Sequence, residues 1–366
     1  MVPHVTAPLK DMFNAARYRA LADELSTLEP TFNAEVFLAH TLTGLATREL
    51  MDRMRRTSTG VALALPLPYR EQLVVLRALA PRIQHNFVGI FLSDFVAQHG
   101  LSPADTPASL DALHFFTRFG SAEFAIRSFI LRDPAASLAV LQSWTTSDDE
   151  HVRRLASEGS RPRLPWGARL QFLVADPSPT LPILTALRAD DSLYVRKSVA
   201  NHLNDISKDH PDLVIELVSS WDRSDARTAW IIRHGLRTLV KRGYPRALGL
   251  LGAGAEPLLR ASLSVSPNRI QLGDTITISA TLVSTSTVPQ SLLVDYVVHY
   301  ARTIGKASEK VFKWTQLDLG AQEALTLIKR QTIRDFSTRR HHPGKHRIEL
   351  QINGRRLAET AFSLGH

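Results

Sequence analysis

The sequence predicts two domains of different class, an all-α region over residues 1–255 and an all-β region over residues 256–366. In the first region apolar residues recur at spacings of three and four, as in Leu73, Leu76 and Ala80. This spacing is typical of amphipathic helices. In the second region apolar residues alternate with polar ones, which is typical of strands with one buried face.

The helical region contains an internal repeat. The stretch "DPAASLAVLQSWTTSDDEHVRR" returns as "DPSPTLPILTALRADDSLYVRK", so Asp133, Asp148 and Arg153 each have a counterpart 43 positions later. A looser third copy follows 35 residues on and pairs Asp190 with Asp225. A period near ~40 residues with two helices per unit is typical of HEAT-like α-solenoids, whose stacked helix pairs leave a concave surface.

The all-β region shows clear strand patterns. In "TITISATL" the even positions are apolar and hydroxyl residues stand between them, and "KHRIELQINGRRLAETAFSL" alternates about an Asn353-Gly354 hairpin signal. Several such strands in one region of this length predict an immunoglobulin-like β-sandwich. The Cys-Trp-Cys core of antibody domains is absent, because the chain has no cysteine.

Composition excludes several classes of protein and site. Hydrophobic residues make up 44% and charged residues 22% of the 366 residues, as in ordinary globular proteins. No apolar run approaches the ~18 residues of a membrane span, and the N-terminus lacks a signal-peptide core. Without cysteine there are no disulfides, thiolate metal sites or cysteine nucleophiles. No HExxH, P-loop or GxGxxG motif is present, so we expect a cytoplasmic monomer with no metal or other cofactor and no membrane partner.

The charge balance favours a polyanionic partner. The net charge is +9 with a pI near 10.0. From residue 256 onward there are 15 Lys and Arg against 9 Asp and Glu, and residues 329–356 hold nine cations against two acids. Arg339, Arg340 and Lys345 in this segment are candidate contacts to the polyanion. A basic surface that serves only solubility is the alternative.

A second group of cations belongs to the repeat. Arg153 and Arg154 precede Glu158, and Arg196 and Lys197 hold the equivalent places one repeat later. Equivalent positions of a solenoid line the same surface, so we expect these cations to form a stripe that fits a phosphate backbone. Solvated helix faces with a few ion pairs are the alternative. The remaining candidate contacts to nucleic acid are Arg161, Arg163, His202, Arg233 and Arg237.

Three carboxylates and one tryptophan are candidates for chemistry. Asp205 falls at the end of its predicted helix, where the helix dipole disfavours a carboxylate, although Asp also ends helices routinely. Glu123 lies near a helix start, where capping or pairing with Arg127 four residues on is the simpler interpretation. Glu158 lies among arginines. Trp166 stands between Pro165 and Gly167, so we expect the backbone to fix the orientation of its indole. A buried core tryptophan is the alternative.

Three stretches together resemble the AlkC branch of the HEAT-like DNA alkylation-repair glycosylases. They are "TRFGSAEFAIRSF", "HVRRLASEGSRPRLPWG" and "VRKSVANHLNDISKDHPDLV". The resemblance covers about residues 8–250, and the larger members of that family carry an immunoglobulin-like C-terminal domain. It implies hydrolysis of the N-glycosidic bond of cationic bases, such as 3-methyladenine and 3-methylcytosine, in double-stranded DNA without base flipping.

The resemblance also implies roles for the candidate residues. Glu158, Asp205 and Glu123 stabilise a positively charged sugar and direct a water, and Trp166 contacts the cationic base or its sugar. Arg161 and Arg163 hold the DNA backbone. Two other functions remain open from sequence. One is a non-catalytic HEAT-repeat scaffold that binds damaged or bent DNA, and the other is a protein-binding solenoid with a β-domain adaptor.

Overall fold

The computed structural model describes residues 8–83, 87–254, 256–302, 308–336 and 340–365. Its contacts form two compact units. The first extends to His210 and includes Trp221–Gly235, and the second comprises Pro211–Ser220 and everything from Leu236 onward. The domain boundary predicted after residue 255 remains a prediction, since that residue lies outside the described ranges.

The described part of the helical region contains sixteen α-helices. Prolines and capping residues keep them short: Asp133, Asp149 and Ser192 each accept a hydrogen bond from a backbone N–H in the first turn of the helix that follows. Across the described residues, no helix combines the length and apolar character that a membrane crossing requires. The helices are α1 (Ala15–Leu28), α2 (Ala34–Leu42), α3 (Leu50–Ala64), α4 (Tyr69–Leu79), α5 (Ile90–His99), α6 (Thr106–Phe116), α7 (Ile126–Arg132), α8 (Pro134–Ser143), α9 (Glu150–Gly159), α10 (Gln171–Ala175), α11 (Leu181–Ala186), α12 (Leu193–Ile206), α13 (Pro211–Ser219), α14 (Ala226–Gly235), α15 (Arg237–Lys241) and α16 (Pro245–Leu250).

The predicted repeat corresponds to stacked helices. Its two copies form the pairs α8–α9 and α11–α12, and α12 packs between α9 and α14. Each second helix buries an apolar stripe, including Val152 and Leu155 on α9 and Val195 and Val199 on α12. The prediction of a HEAT-like solenoid is confirmed.

Two repeat-equivalent arginines brace the solenoid from within. Through Nη1, Arg153 donates hydrogen bonds to the carbonyl oxygens six and five positions before it at 2.9 and 3.0 Å. Arg196 repeats both bonds at 2.8 and 2.7 Å. The Nε and Nη2 of Arg153 also reach the two carboxylate oxygens of Asp190 at 2.7 and 3.1 Å, which ties one repeat to the next. Both guanidinium groups are therefore bound to other groups of the protein, and this geometry does not favour their predicted role as DNA contacts.

We expect Arg153→Leu to lower the free energy of unfolding by about 2–4 kcal/mol, because it removes a charge-assisted pair and leaves the largely inaccessible carboxylate of Asp190 without its cation. Chemical denaturation measures the change. Lys197→Gln is the matched control, since it removes an exposed cation from the next helix and changes stability by less than about 0.5 kcal/mol. Equal stability of the two variants would contradict the bracing role.

The second unit contains a β-sandwich. Its strands are β1 (Leu259–Ser266), β2 (Arg269–Ile270), β3 (Thr275–Ser284), β4 (Gln290–Tyr300), β5 (Ser308–Leu319), β6 (Ala324–Thr332), β7 (Gly344–Ile352) and β8 (Arg355–Leu364). A three-stranded sheet has the order β1-β3-β6, and a five-stranded sheet has the order β2-β8-β7-β4-β5. Ile276 and Ile278 of one sheet pack with Tyr296, Ile348 and Phe362 of the other in a shared core. The prediction of an immunoglobulin-like sandwich is confirmed.

The predicted hairpin joins β7 to β8. Ile352 pairs with Arg355 across Asn353 and Gly354, whose φ values are 46° and 80°. Two positive φ angles define the turn that matches the twist of paired strands, and Asn-Gly is the residue pair that adopts them most readily.

Candidate active site

A buried arginine links two of the predicted carboxylates. The Nη1 of Arg161 lies 2.6 Å from Oε1 of Glu158, and its Nε and Nη2 each lie 2.8 Å from Oδ2 of Asp205. Glu158 is 6%, Arg161 7% and Asp205 3% exposed. Burial lowers the pKa of Arg161, but the two carboxylates raise it more, so the net pKa lies above its usual value and the guanidinium stays charged.

The repeat brings these two carboxylates together. Glu158 lies in the last turn of α9 and Asp205 in the last turn of α12, and these equivalent helices pack side by side. A carboxylate at a helix C-terminus is disfavoured by the helix dipole. Cations offset this cost: besides Arg161, the Nζ of Lys208 lies 2.9 Å from Oδ1 of Asp205.

Glu123 extends the network through a second arginine. The Nη1 of Arg154 lies 2.6 Å from Oε2 of Glu123, and its Nη2 lies 3.6 Å from Oε1 of Glu158. Ser121 bonds both partners, donating to Glu123 and accepting from Arg154 at 2.8 Å each. The simpler sequence interpretation, in which Glu123 pairs with Arg127, is wrong because Arg154 holds that carboxylate. Acids and cations thus alternate from Glu123 to Lys208, a run that we call the carboxylate network.

One face of α12 supplies further support that the sequence interpretation missed. The hydroxyl of Ser198 donates to Oε2 of Glu158 at 2.6 Å. The guanidinium of Arg154 lies over the ring of Tyr194, 4.7 Å from its centroid. Residues 194, 198 and 205 share one helix face, and this spacing was the available signal.

Arg127 holds the loop that connects the network to Trp166. It is 2% exposed and donates hydrogen bonds to the carbonyl oxygen of Gly159, the last residue of α9, at 2.9 Å and to those of Arg161 at 2.8 Å and Ala168 at 2.7 Å in the loop. Burial lowers its pKa to about 10, and the charge of Arg161 contributes to the shift. The sequence offered no signal for this role, because backbone carbonyls leave no trace in residue identity.

We expect Arg127→Gln to loosen this loop, because one amide cannot replace a guanidinium that bonds three carbonyls. Amide hydrogen exchange of residues 160–170 should rise by about 10- to 100-fold, while exchange in α1–α6 stays unchanged. Arg163→Gln is the control, since Arg163 belongs to the same loop but pairs with Asp209 at the surface. Equal exchange rates in the two variants would contradict the inference that Arg127 holds this loop.

Trp166 lies at the turn of this loop. It is 69% exposed, so the alternative of a buried core tryptophan is wrong. Its φ is 63°, a left-handed conformation that is uncommon for a residue with a side chain. The next residue, Gly167, closes the turn with a hydrogen bond of 3.2 Å from its N–H to the carbonyl oxygen of Leu164. The indole face is available to bind a flat or cationic group.

Comparisons with known proteins place this geometry in a family. A protein-family model described as DNA alkylation repair enzyme matches residues 116–239. A second family model, for the C-terminal Ig-like domain of YhaZ, matches residues 260–366. Protein YhaZ of Bacillus subtilis is 39% identical over 350 residues, which cover 95% of this chain and 97% of YhaZ. A solved structure of the Pseudomonas fluorescens alkylpurine DNA glycosylase AlkC, bound to DNA with an abasic site analog, is 48% identical. It matches with a TM-score of 0.94 over 98% of this chain and 99% of that one.

The chain belongs to the AlkC branch of the DNA alkylation repair enzyme family. The resemblance stated from sequence is confirmed. The match to AlkC covers 98% of this chain, so it includes both the helical region and the sandwich.

The structure places the predicted DNA contacts of this family member in different environments. Lys197 and Arg233 are exposed, and in the part of the chain that the structure describes neither side chain has a hydrogen bond or ion pair. Arg163 is bound to Asp209 at 2.9 Å. The first two cations therefore remain candidate phosphate contacts, whereas Arg163 must exchange a partner to bind DNA.

The predicted contacts in the second unit lie at its surface where they are described. Arg340 and Lys345 are exposed, and Arg237 is half-buried on α15. Arg339 lies outside the described residues. These assignments remain predictions.

Two predicted DNA contacts are buried instead. His202 is fully buried, and its Nδ1 lies 3.0 Å from the carbonyl oxygen of Ser157. Burial, with a contribution from the charge of Arg161, lowers the pKa of His202 to about 3, so the ring is neutral. Arg161 is buried within the carboxylate network. Neither side chain can reach a phosphate at the surface without rearrangement, so we assign His202 to packing and Arg161 to positioning carboxylates.

The described residues offer His, Asp and Glu side chains as possible ligands of a metal ion. Within the described ranges, no three His, Asp or Glu side chains converge in a way that could hold one. The carboxylates of the network are instead bound by arginine and lysine.

Proposed function

We propose that this protein is a monofunctional DNA glycosylase that hydrolyses the N-glycosidic bond of cationic N-alkylated bases, such as 3-methyladenine and 3-methylcytosine, in double-stranded DNA. The observation that carries the proposal is the carboxylate network, in which three segments of the chain contribute Glu123, Glu158 and Asp205 beside a loop with an exposed tryptophan. The similarity to an alkylpurine DNA glycosylase bound to DNA with an abasic site analog supports it.

The chemistry matches these residues. An N-alkylated base is already positively charged, so it can leave as a neutral molecule with the electron pair of the glycosidic bond, and no strong general acid is needed. The sugar that remains carries positive charge in the transition state, which fixed negative groups stabilise. Water adds to C1′ of the sugar, and its proton passes to a carboxylate or to solvent.

The network prepares the carboxylates for this task. Arg161 fixes Glu158 and Asp205 relative to each other through charge-assisted hydrogen bonds. Serine hydroxyls and Arg154 fix Glu158 and Glu123 from the other side. Preorganised charges need no reorientation when the sugar becomes cationic, which is the main source of such stabilisation in enzymes.

Trp166 completes the proposed site from the surface. Its exposed indole offers a cation–π contact of about 0.5 to 2 kcal/mol to the charged base or sugar. A ring presented on an outward turn can approach a lesion that stays within the helix, which supports excision without base flipping. Exposed Lys197 and Arg233 then hold the phosphates.

We expect Glu158→Gln and Asp205→Asn each to slow base release by about 100- to 1000-fold while DNA binding is retained, because each variant keeps the side-chain shape and removes the charge. Single-turnover release of 3-methyladenine and 3-methylcytosine from duplex DNA measures the effect. Glu35→Gln, an exposed carboxylate on α2, is the control. Wild-type release rates in both variants would refute the assignment of Glu158 and Asp205 to catalysis. If the wild type releases no base, the non-catalytic scaffold that binds damaged or bent DNA is the remaining function.

We expect Lys197→Ala and Arg233→Ala to weaken binding of any duplex, each reducing the slope of log K against log salt concentration by about one. Arg153→Ala, whose side chain braces the solenoid, should leave that slope unchanged. Binding isotherms at several salt concentrations make the comparison. If the three variants share one slope, the exposed cations are not phosphate contacts.

A further inference from the structure

A pocket of about 540 Å³ in the second unit has no role in the proposed excision chemistry. It lies where the C-terminal end of α15 meets strands β5, β7 and β8. The residues around it are Thr238, Lys241, Arg242, Glu309, Lys310, Val311, Gln351, Gly354 and Arg356.

The walls of this pocket are held in place by backbone contacts. The amide of Gln351 donates to the carbonyl oxygen of Lys241 at 3.2 Å, which ties β7 to α15. Gly243 and Gly354 have φ values of 71° and 80°, and a Cβ on Gly354 would lie 2.4 Å from the Cα of Gly243. Only glycine allows this approach, so the turn after α15 and the β7–β8 hairpin are locked against each other.

Positive charge dominates the lining. Four of its residues are cations and one, Glu309, is an acid. Glu309 is already bound to Arg356 at 2.7 Å. Lys241 and Arg242 are exposed and have no hydrogen bond from the side chain or ion pair among the described residues. The cations around this pocket repel each other, and an anion bound between them offsets that repulsion.

One acidic side chain lies behind the lining of the pocket. Asp295 lies behind Gln351, 3.3 Å from its amide nitrogen, and is 7% exposed. Burial raises the pKa of Asp295 to about 6, although the charges of Lys241, Lys313 and Arg356 oppose the shift. The carboxyl is therefore largely neutral below about pH 6 and charged at higher pH, where it competes with a bound anion.

The geometry points to a phosphate-binding site in this pocket, with Lys241 and Arg242 as the principal ligands. A guanidinium fork and an ammonium group are the side chains that suit a tetrahedral phosphate. The phosphate could be supplied by a DNA backbone or by a small phosphorylated compound, since both present the same oxygens. The inference does not depend on the excision chemistry, because no residue of the carboxylate network lines the pocket.

The test uses the full chain with Lys241→Gln and Arg242→Gln combined. Arg269→Gln is the matched control, because Arg269 is an exposed cation of the same unit outside the pocket. Calorimetry at pH 8 measures pyrophosphate binding, and isotherms on an undamaged duplex at several salt concentrations measure DNA binding. We expect the double variant to lose about tenfold or more of its pyrophosphate affinity relative to the control.

The two readouts distinguish the sources of phosphate. A salt slope reduced by about two in the double variant identifies the DNA backbone as the ligand. An unchanged slope with weaker pyrophosphate binding identifies a small phosphorylated compound. If the double variant matches Arg269→Gln in both readouts, the proposal is overturned. Base release by the wild type is measured separately, so failure of this site and failure of the glycosylase proposal are told apart.

Asp295→Asn should change the affinity for pyrophosphate in the opposite direction. The substitution removes the negative charge behind Gln351, so pyrophosphate should bind severalfold more tightly than to wild type at pH 8. At pH 5 the wild-type carboxyl is largely protonated, and the two proteins should bind alike. The absence of an affinity gain at pH 8 would contradict the placement of the anion above Gln351.

Discussion

The ion pairs of Arg161 with Glu158 and Asp205 are the constraint on which the site depends. Three charged side chains are removed from water together, and the cost of their burial is offset by the ion pairs between them and by those with Arg154 and Lys208. Removal of Arg161 leaves two buried carboxylates with only Arg154 and Lys208 to offset their charge. The carboxylates that we assign to the reaction are therefore fixed by the same contacts that make their burial possible.

Most neighbouring features follow from that requirement. The loop after α9 must return Arg161 toward α12, and Arg127 holds it there through three carbonyl oxygens. His202 remains neutral beneath the network, which avoids a further buried cation beside Arg161. The surroundings of the carboxylates are thus arranged around charge balance as much as around catalysis.

Adjacent residues of the repeat have separate tasks. Arg153 and Arg196 brace the solenoid, whereas Arg154 joins the carboxylate network and Lys197 faces solvent. A helix turns by about 100° per residue, so neighbours in sequence face different surroundings. The stripe of cations predicted from the sequence therefore divides into a row that braces the solenoid and a second row that we propose takes part in the site.

Periodicity and resemblance allowed the fold and much of the site to be predicted from the sequence. The 43-residue repeat and the alternation of "TITISATL" gave the solenoid and the sandwich, because burial of one face leaves its period in the chain. Motif resemblance gave Glu123, Glu158 and Asp205, and the structure joins them through arginines. Burial of His202 and Arg161 was not predicted, since a polar residue has the same letter whether it faces solvent or core. The contacts of Arg127 and Ser198 link distant segments, and only the tertiary structure shows them.

The conformation of Trp166 has a consequence for how this protein can change. A left-handed backbone at a residue with a side chain costs about 1–2 kcal/mol, and exposure of a large indole forgoes the gain from burial. Glycine or asparagine at this position would relax the turn and leave the fold at least as stable. Selection for thermal stability alone would thus tend to replace the tryptophan, so its presence is a mark of selection for something other than folding.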